Sequence, residues 1–299
     1  FNNLGLTVID EQHKFGVKQR KALSDKGGKN CDVLVMSATP IPRTMIMTIF
    51  GDMDTSIIKE KPINRKEILT YSKIENKILE VIDFAKQQIN NKNQIFWVCP
   101  LIEESKKIDH QSVLERYKFL KKYFPNKVGF LHGLLSREEK DEVLIKFLNK
   151  KLDIIISTTV IEVGIDFPNA NLIIIENSNK FGLAQLHQLR GRVGRGSKQG
   201  MCILLYKGSL SQNGIKRIKI LKSSNDGFNI AEEDMKLRGH GDVMGFKQSG
   251  IKFYKIADPV LHADLFRKAE EKIEDIQKIK NFKKYNFLLK LFDKAEIIN

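Results

Sequence analysis

Residues 154–175 read Ile-Ile-Ile-Ser-Thr-Thr-Val-Ile-Glu-Val-Gly-Ile-Asp-Phe-Pro-Asn-Ala-Asn-Leu-Ile-Ile-Ile, and this stretch decides the fold class. Two short runs inside it, Ile154–Ile156 and Leu172–Ile175, contain no polar residue. Such runs are typical of parallel β-strands that are covered on both faces. Similar β-rich runs elsewhere in the chain are Leu6–Ile9, Val33–Met36, Ile95–Val98, Val128–Leu131 and Cys202–Leu205.

Helical patterns lie between these runs. Apolar residues recur at steps of three and four between Ile74 and Ile89. Ser136 and Glu139 have the spacing of a capping box, and the helix that they open has Leu144 and Phe147 on its apolar side. Strands that alternate with helices predict an α/β fold with a parallel sheet.

The composition narrows the class of protein. The 299 residues are enough for about two domains. The net charge of +15, from 51 basic and 36 acidic residues, favours a polyanionic partner such as nucleic acid, although free use of Lys would give the same balance. The longest apolar run falls far short of the ~20 residues that a membrane span needs, so no membrane partner is expected.

The cysteines and the first residues predict a cytoplasmic location. Cys31, Cys99 and Cys202 lie too far apart for a disulfide framework or a zinc site, which favours a reducing compartment. Residues 1–3, Phe-Asn-Asn, have no leader-like pattern and no initiator Met, so we expect a piece of a longer protein.

Two strand-like runs end in polar residues. The first run, Leu6–Ile9, is followed by Asp10 and Glu11. Acidic residues at the carboxyl end of a parallel strand lie where α/β sheets bind ligands, and an Asp there can hold Mg²⁺. The alternative is the acidic start of a helix. The second run leads into Ser37-Ala38-Thr39-Pro40, which simple turn chemistry would also explain.

Two later motifs are more specific. Ser157-Thr158-Thr159 leads through Glu162 and Gly164 to Asp166. The stretch 188–195, Gln-Leu-Arg-Gly-Arg-Val-Gly-Arg, then places three arginines within six residues. Arginine stabilises charge on a transferring phosphoryl group, and the two glycines let the backbone turn tightly. A solvated basic face is the alternative reading of the arginines.

The four motifs, in this order, resemble motifs II, III, V and VI of the superfamily 2 helicases. The stretches 10–17 and 37–44 resemble both the RecG family and the transcription-repair coupling factors, whereas 100–105 and 238–250 are closer to the RecG family. The resemblance implies RecA-like parallel-sheet helicase domains, the first of them incomplete, followed by a translocation hairpin and C-terminal helices. The domains expected are residues 1–63, the later part of motor domain 1; 64–207, motor domain 2; 208–250, the translocation motif; and 251–299, a helical tail.

The resemblance also implies roles for individual residues. Catalytic roles fall on Asp10, which would hold Mg²⁺, on Glu11, and on two arginine fingers, Arg192 and Arg195. Coupling of nucleotide state to domain movement is implied for Gln12, His13, Ser37, Thr39 and Gln188. Contacts to ATP are implied for Gly164 and Asp166, DNA contacts for Thr158 and Thr159, and translocation for Arg217, Arg238 and Gln248. Arg217 could equally be a surface base on a helix.

One motif of the family is missing from this sequence. No Gly-x-x-x-x-Gly-Lys-Ser/Thr loop is present, and Lys26-Gly27-Gly28-Lys29-Asn30 has the wrong spacing. His240 also stands where the family usually has Pro. We therefore expect this chain alone to lack ATPase activity.

The function implied is that of an ATP-dependent DNA helicase that remodels stalled replication forks and Holliday junctions in recombination and repair. Branched double-stranded DNA is the expected partner, with single-stranded DNA-binding protein as a further candidate, in the bacterial cytoplasm at the nucleoid. Two alternatives remain: a non-enzymatic remnant that only binds nucleic acid, and the motor half of a transcription-repair coupling translocase.

Overall fold

The computed structural model describes residues 4–11, 26, 31–38, 54, 56–58, 60, 62, 65–100, 106–158, 167–242 and the isolated positions 262, 265, 268, 269 and 272. For 106–112 and 238–242 it describes the backbone. The chain divides into two compact units, one of Phe1–Pro40 with Ser56–Met244 and one of Ile41–Thr55 with Gly245–Asn299. The elements below all belong to the first unit. No helix of the described part is long and apolar enough to cross a membrane.

A two-stranded parallel sheet lies near the start of the chain. It pairs β1 (Leu6–Ile9) with β2 (Asp32–Val35). Thr7 and Ile9 are buried, whereas Leu6 and Val8, which point to the other face, are 55% and 51% exposed. One face of β1 is therefore covered, whereas its apolar opposite face is exposed.

A six-stranded sheet forms the body of the unit, and every pairing in it is parallel. Its spatial order is β3-β8-β7-β4-β6-β5. The strands are β3 (Leu69–Ile74), β4 (Gln94–Val98), β5 (Val128–Leu131), β6 (Ile154–Ser157), β7 (Ala170–Ile175) and β8 (Met201–Tyr206). The predicted α/β class with a parallel sheet is confirmed.

Helices connect the strands. They are α1 (Ile78–Asn90), α2 (Lys106–Tyr123), α3 (Arg137–Leu148), α4 (Leu183–Arg190), α5 (Gln212–Ser223) and α6 (Gly227–Asp242), with short 3₁₀ turns at Glu75–Lys77 and Ser178–Lys180. The predicted capping box opens α3: the Ser136 hydroxyl accepts from the Glu139 amide at 3.1 Å, and the Glu139 carboxylate accepts from the Ser136 amide at 2.8 Å.

Alternating residues of the central strands enter two separate apolar layers. Phe96 and Val98 of β4 pack in one layer, with residues from α3, α4, α5 and α6. Ile95 and Trp97 pack in the other layer, with α1 and α2. Because helices cover both faces, the central strands are apolar throughout rather than alternating.

Three predicted boundaries differ from the structure. The edge strand β3 is not predicted from the sequence, because its residues alternate between exposed and half-buried and therefore form no continuous apolar run. Ile74 is the last residue of β3, so the first helix begins at Ile78 rather than at Ile74. The Gly-rich stretch that begins at Arg238 was expected to be a loop, but α6 continues to Asp242. The predicted domain boundaries remain predictions.

Candidate nucleotide and nucleic-acid site

The first two polar motifs lie side by side. Ile9 pairs with Val35 at the end of the β1–β2 ladder, and the Met36 amide donates to the Ile9 carbonyl at 2.8 Å. Asp10 directly follows β1 and Ser37 lies two residues after the end of β2, and both are exposed. The parallel register therefore brings motifs II and III to one sheet edge.

The Asp10 carboxylate has the chemistry of a magnesium ligand. It is exposed, and its Oδ1 accepts the Glu11 amide at 2.8 Å while Glu11 takes a left-handed φ of 48°. Mg²⁺ is usually held by one or two carboxylates together with substrate phosphates, so a lone Asp fits. Among the described residues there is no cluster of three or more His, Cys, Asp and Glu side chains, so an all-protein metal cage does not form there.

The carboxyl edge of the six-stranded sheet holds a buried ionic cluster. Glu176 follows β7, and it accepts from the Trp97 indole and from Arg116 of α2, whose Nη2 is 2.9 Å from Oε2. Burial raises the pKa of Glu176, and the Arg116 charge offsets part of that rise. Burial likewise raises the pKa of the neighbouring Cys99 thiol. This cluster ties α2 to the strand ends.

Thr158 lies at the same edge, directly after β6. It is 3% exposed, and the carbonyl of the preceding Ser157 accepts from the Cys99 amide at 2.8 Å. The backbone at this point is therefore fixed between two neighbouring strands.

The arginine-rich motif begins on α4 and continues in a loop to β8. Gln188 is half-buried on α4, and Gly191 caps the helix. Gly194 has a φ of +67°, and a Cβ atom there would lie 2.9 Å from Gly200 Cα. A side chain at this position would clash with backbone, so glycine is required for the loop to close onto β8.

The three arginines of this motif have different surroundings. Arg190 is 2% exposed, and its guanidinium donates to the carbonyls of Leu221 and Ser224 at 2.6 and 2.9 Å. Burial lowers the pKa of this guanidinium, which nonetheless stays charged. Arg192 is half-buried and Arg195 is exposed. Arg190 therefore joins α4 to the end of α5, and the two predicted arginine fingers are more exposed than Arg190.

The sequence interpretation did not single out Arg190 or Glu176. A signal for Arg190 exists, because Leu183, Leu186 and Arg190 follow one another at steps of three and four on α4. An arginine that continues an apolar helix face is expected to point inward. Glu176 carries no such signal, because it simply follows an apolar run.

Arg217 lies on α5 and is only half-buried. Its Nε is buried without a hydrogen-bond partner. The neighbouring cations Lys216, Lys219 and Lys222 are exposed. The lysines, more than Arg217, form the solvent-facing basic side of this helix.

The structure describes no side chain for the remaining predicted residues. Arg238 lies in α6, where the backbone alone is described. Predictions on the following residues lie outside the described part of the chain: Gln12, His13, Thr39, Thr159, Gly164, Asp166 and Gln248.

Two family models match the chain. "Helicase conserved C-terminal domain" matches residues 75–197, and "ATP-dependent DNA helicase RecG, domain 3, C-terminal" matches residues 224–289. The first covers most of the six-stranded sheet and the arginine motif, and the second begins in the turn between α5 and α6.

Curated relatives are similar over most of this chain. ATP-dependent DNA helicase RecG of Thermotoga maritima is 50% identical over 92% of this chain and 35% of its own length. The RecG of Bacillus subtilis is 47% identical over 87% of this chain and 38% of its own length. The chain thus spans little more than a third of the length of these relatives.

Solved structures agree with this relationship. A structure of RecG bound to a three-way DNA junction matches 89% of this chain and 34% of its own chain, with 44% identity and a TM-score of 0.67. The helicase Lhr of Mycobacterium smegmatis, bound to single-stranded DNA and AMP-PNP, matches 72% of this chain and 30% of its own with 16% identity and a TM-score of 0.53, which supports the fold alone. The two family models and these relatives agree that the chain is similar to ATP-dependent DNA helicase RecG over most of its length.

Proposed function

We propose that this chain supplies the second motor domain and the translocation hairpin of an ATP-dependent helicase that remodels branched DNA. Curated relatives bear the name ATP-dependent DNA helicase, and a solved relative carries a three-way junction, which supports both the activity and the substrate class. Stalled replication forks and Holliday junctions are the substrates proposed. Single-stranded DNA-binding protein and a nucleoid location remain expectations from the sequence.

The nucleotide chemistry is divided between two groups of residues. Mg²⁺, when bound with ATP, would neutralise phosphate charge and would be held by Asp10, while Glu11 would orient and deprotonate the attacking water. Arg192 and Arg195 would stabilise the charge that develops on the γ-phosphoryl group. Gly164 and Asp166 would face the nucleotide, and Gln12, His13, Ser37, Thr39 and Gln188 would couple its state to movement.

The DNA chemistry falls on another part of the chain. Thr158 and Thr159 would contact the phosphate backbone at the carboxyl edge of the sheet. The hairpin of α5 and α6, with Arg217, Arg238 and Gln248, would convert cleft closure into movement of the duplex. Sequence-independent backbone contacts of this kind suit an enzyme that recognises DNA by shape.

One observation carries the proposal. Helix α4 ends in the loop of Arg192 and Arg195, and Arg190 at its last turn hydrogen-bonds the final carbonyls of α5. Helix α4 therefore connects the two parts of the proposed mechanism. Its C-terminal end leads into the loop of the proposed arginine fingers, and its Arg190 guanidinium binds the end of α5, the first helix of the hairpin proposed to move DNA.

ATPase activity and fork unwinding, measured side by side in the intact helicase, test the proposal. Arg192→Ala is expected to reduce DNA-stimulated hydrolysis about 10³-fold or more and to abolish unwinding. Arg238→Ala is expected to abolish unwinding while much of the hydrolysis remains, because hydrolysis needs the cleft and movement needs the hairpin.

Lys180→Ala is the control, since Lys180 is an exposed cation on the same domain, outside the proposed site. It should leave both rates near those of the wild type. A wild-type protein that does not unwind forks, or an Arg192→Ala variant that hydrolyses ATP normally, would contradict the proposed function.

A further inference from the structure

The four residues before β3 and the first residue of β3 form a segment that contacts the loop of the predicted arginine fingers. We call Arg65–Leu69 the linker segment and Gly191–Gly200 the finger loop. The Leu69 amide donates to the Gly200 carbonyl at 3.0 Å, and the Gln199 side-chain amide donates to the Glu67 carbonyl. These two hydrogen bonds join the end of the linker segment to the end of the finger loop.

The linker segment and the finger loop also pack against each other through apolar contacts. Ile68 is 9% exposed, and a Cβ atom built on Gly200 would lie 3.2 Å from its Cγ1. The same built atom would lie 3.0 Å from Gly194 Cα, so the two glycine backbones and the Ile68 side chain are already in close contact. Interiors packed this tightly do not deform continuously, so the two segments are expected to shift together.

Arg65 reaches the other end of the finger loop. Its Nη2 donates to the Gly191 carbonyl at 3.1 Å, across 126 positions of sequence. The Arg65 amide donates to the Pro62 carbonyl at 2.9 Å, so the backbone of Arg65 is also hydrogen-bonded. The Gly191 carbonyl belongs to the residue that caps α4, where the helix dipole favours a cation.

The same carbonyl oxygen is also the acceptor of an arginine finger. Arg195 Nε donates to the Gly191 oxygen at 3.5 Å. Two guanidinium groups, one from the linker segment and one from the finger loop, therefore meet at one peptide group.

We propose that Arg65 is a positioning residue for the arginine finger Arg195, holding the Gly191 peptide so that Arg195 projects toward the triphosphate. This inference rests on the proposed function. The linker segment and the finger loop act as one body, so a movement of the chain before β3 carries the fingers with it. Arg65 acts through Arg195 rather than on the nucleotide.

Steady-state ATP hydrolysis by the intact helicase, at saturating forked DNA, tests this role. Arg65→Ala is expected to lower kcat about tenfold to a hundredfold, the cost typical of misplacing a group that acts in the transition state, and to leave KM for ATP within about twofold. Arg65→Lys keeps the charge but loses the planar fork, so its kcat should fall between those of wild type and Arg65→Ala.

The same substitution in an Arg195→Lys protein distinguishes a positioning role of Arg65 from a direct contact between Arg65 and the nucleotide. In an Arg195→Lys protein, Arg65→Ala should cause less than about a threefold further loss of kcat, because residues that act as a unit are not additive. A full and independent loss in that background would overturn the proposal, since Arg65 would then act by another route.

Lys66→Ala is the matched control, because Lys66 is the adjacent exposed cation and its removal changes the net charge equally. It should retain wild-type kcat; an equal loss would mean that the charge of the linker segment, not the Arg65 contact, matters. Hydrogen exchange supplies a readout apart from activity: Arg65→Ala should speed exchange of the amides at 191–196, and unchanged exchange would contradict the positioning role.

The proposed function can fail separately from this inference. A wild-type protein without DNA-stimulated hydrolysis would remove the proposed function. If the wild-type protein hydrolyses ATP and the Arg65→Ala variant has the same kcat, only the positioning role of Arg65 is refuted.

Discussion

Arg190 shows how one side chain can stabilise the fold inside a motif whose other two arginines are proposed to act on the nucleotide. Its guanidinium takes up the Leu221 and Ser224 carbonyls at the C-terminal end of α5, and it also lies 2.9 Å from His187 Nδ1 and 3.4 Å from Thr70 Oγ1. A buried guanidinium group is tolerated when its N–H groups donate hydrogen bonds, and here most of the acceptors are uncharged oxygens.

Loss of this guanidinium should destabilise the domain. We expect Arg190→Met, which keeps much of the side-chain volume, to lower the free energy of unfolding by about 3 kcal/mol because it strands two buried carbonyls. Urea unfolding of this chain can be followed by the fluorescence of Trp97, its only Trp, which is fully buried in β4.

The control for that measurement is Lys219→Met, an exposed position on α5. A change of less than about 0.5 kcal/mol is expected there. An Arg190→Met protein that unfolds at the same urea concentration as the wild type would show that the guanidinium contributes nothing to stability.

The sequence interpretation predicted the presence of the arginine-rich motif at 188–195. It did not identify which of the three arginines is buried. The spacing of Gly191, Gly194 and the three arginines indicated a tight basic loop, and the +67° φ of Gly194 agrees with that. The steps of three and four from Leu183 through Leu186 to Arg190 indicate that Arg190 points inward, but they do not show what its guanidinium binds. Its acceptors are carbonyls at the end of α5, more than 30 positions away, and contacts at that separation leave no local pattern.

At the scale of elements, α5 divides its cations between two environments. Lys216, Lys219 and Lys222 face solvent, whereas Arg217 is half-buried with its Nε enclosed. The lysines are therefore the better candidates for contacts to DNA phosphate, and Arg217 is the better candidate for a role within the hairpin.

The salt dependence of DNA binding distinguishes these roles. Each phosphate that a cation neutralises contributes about −0.9 to the slope of log affinity against log salt on duplex DNA. Lys219→Ala should therefore make the slope shallower by about 0.9, and Arg217→Ala should leave it nearly unchanged. Titrations of forked DNA at several salt concentrations measure both; a slope change for Arg217→Ala alone would reverse the assignment.

The strands were predictable to the extent that they are buried. β4, β6 and β7 are covered on both faces, and the apolar runs in their sequences predict them as strands. β3 has the alternating sequence Leu-Thr-Tyr-Ser-Lys-Ile because it lies at the sheet edge, with Leu69 and Tyr71 each 45% exposed. Such an edge strand gives a much weaker signal than a central one.

For the whole molecule, the function depends on residues from distant parts of the sequence. Asp10 and Ser37 lie at the same end of the β1–β2 ladder, and the loop of the predicted arginine fingers hydrogen-bonds to β3 through Gly200 and Leu69. The sequence contains no phosphate-binding loop of the Gly-x-x-x-x-Gly-Lys-Ser/Thr type, whose backbone amides hold the β- and γ-phosphates in proteins that have it. On the proposed function, the carboxylates and the fingers would need such a loop from the rest of the intact helicase.

DNA-stimulated ATP hydrolysis by the purified 299-residue chain, beside that of the intact helicase, tests this account most directly. The account predicts no turnover above background for the chain alone and clear stimulation by forked DNA for the intact protein. Turnover by the chain that disappears in a Glu11→Gln variant would contradict it, because the catalytic carboxylate would then be working without a phosphate loop.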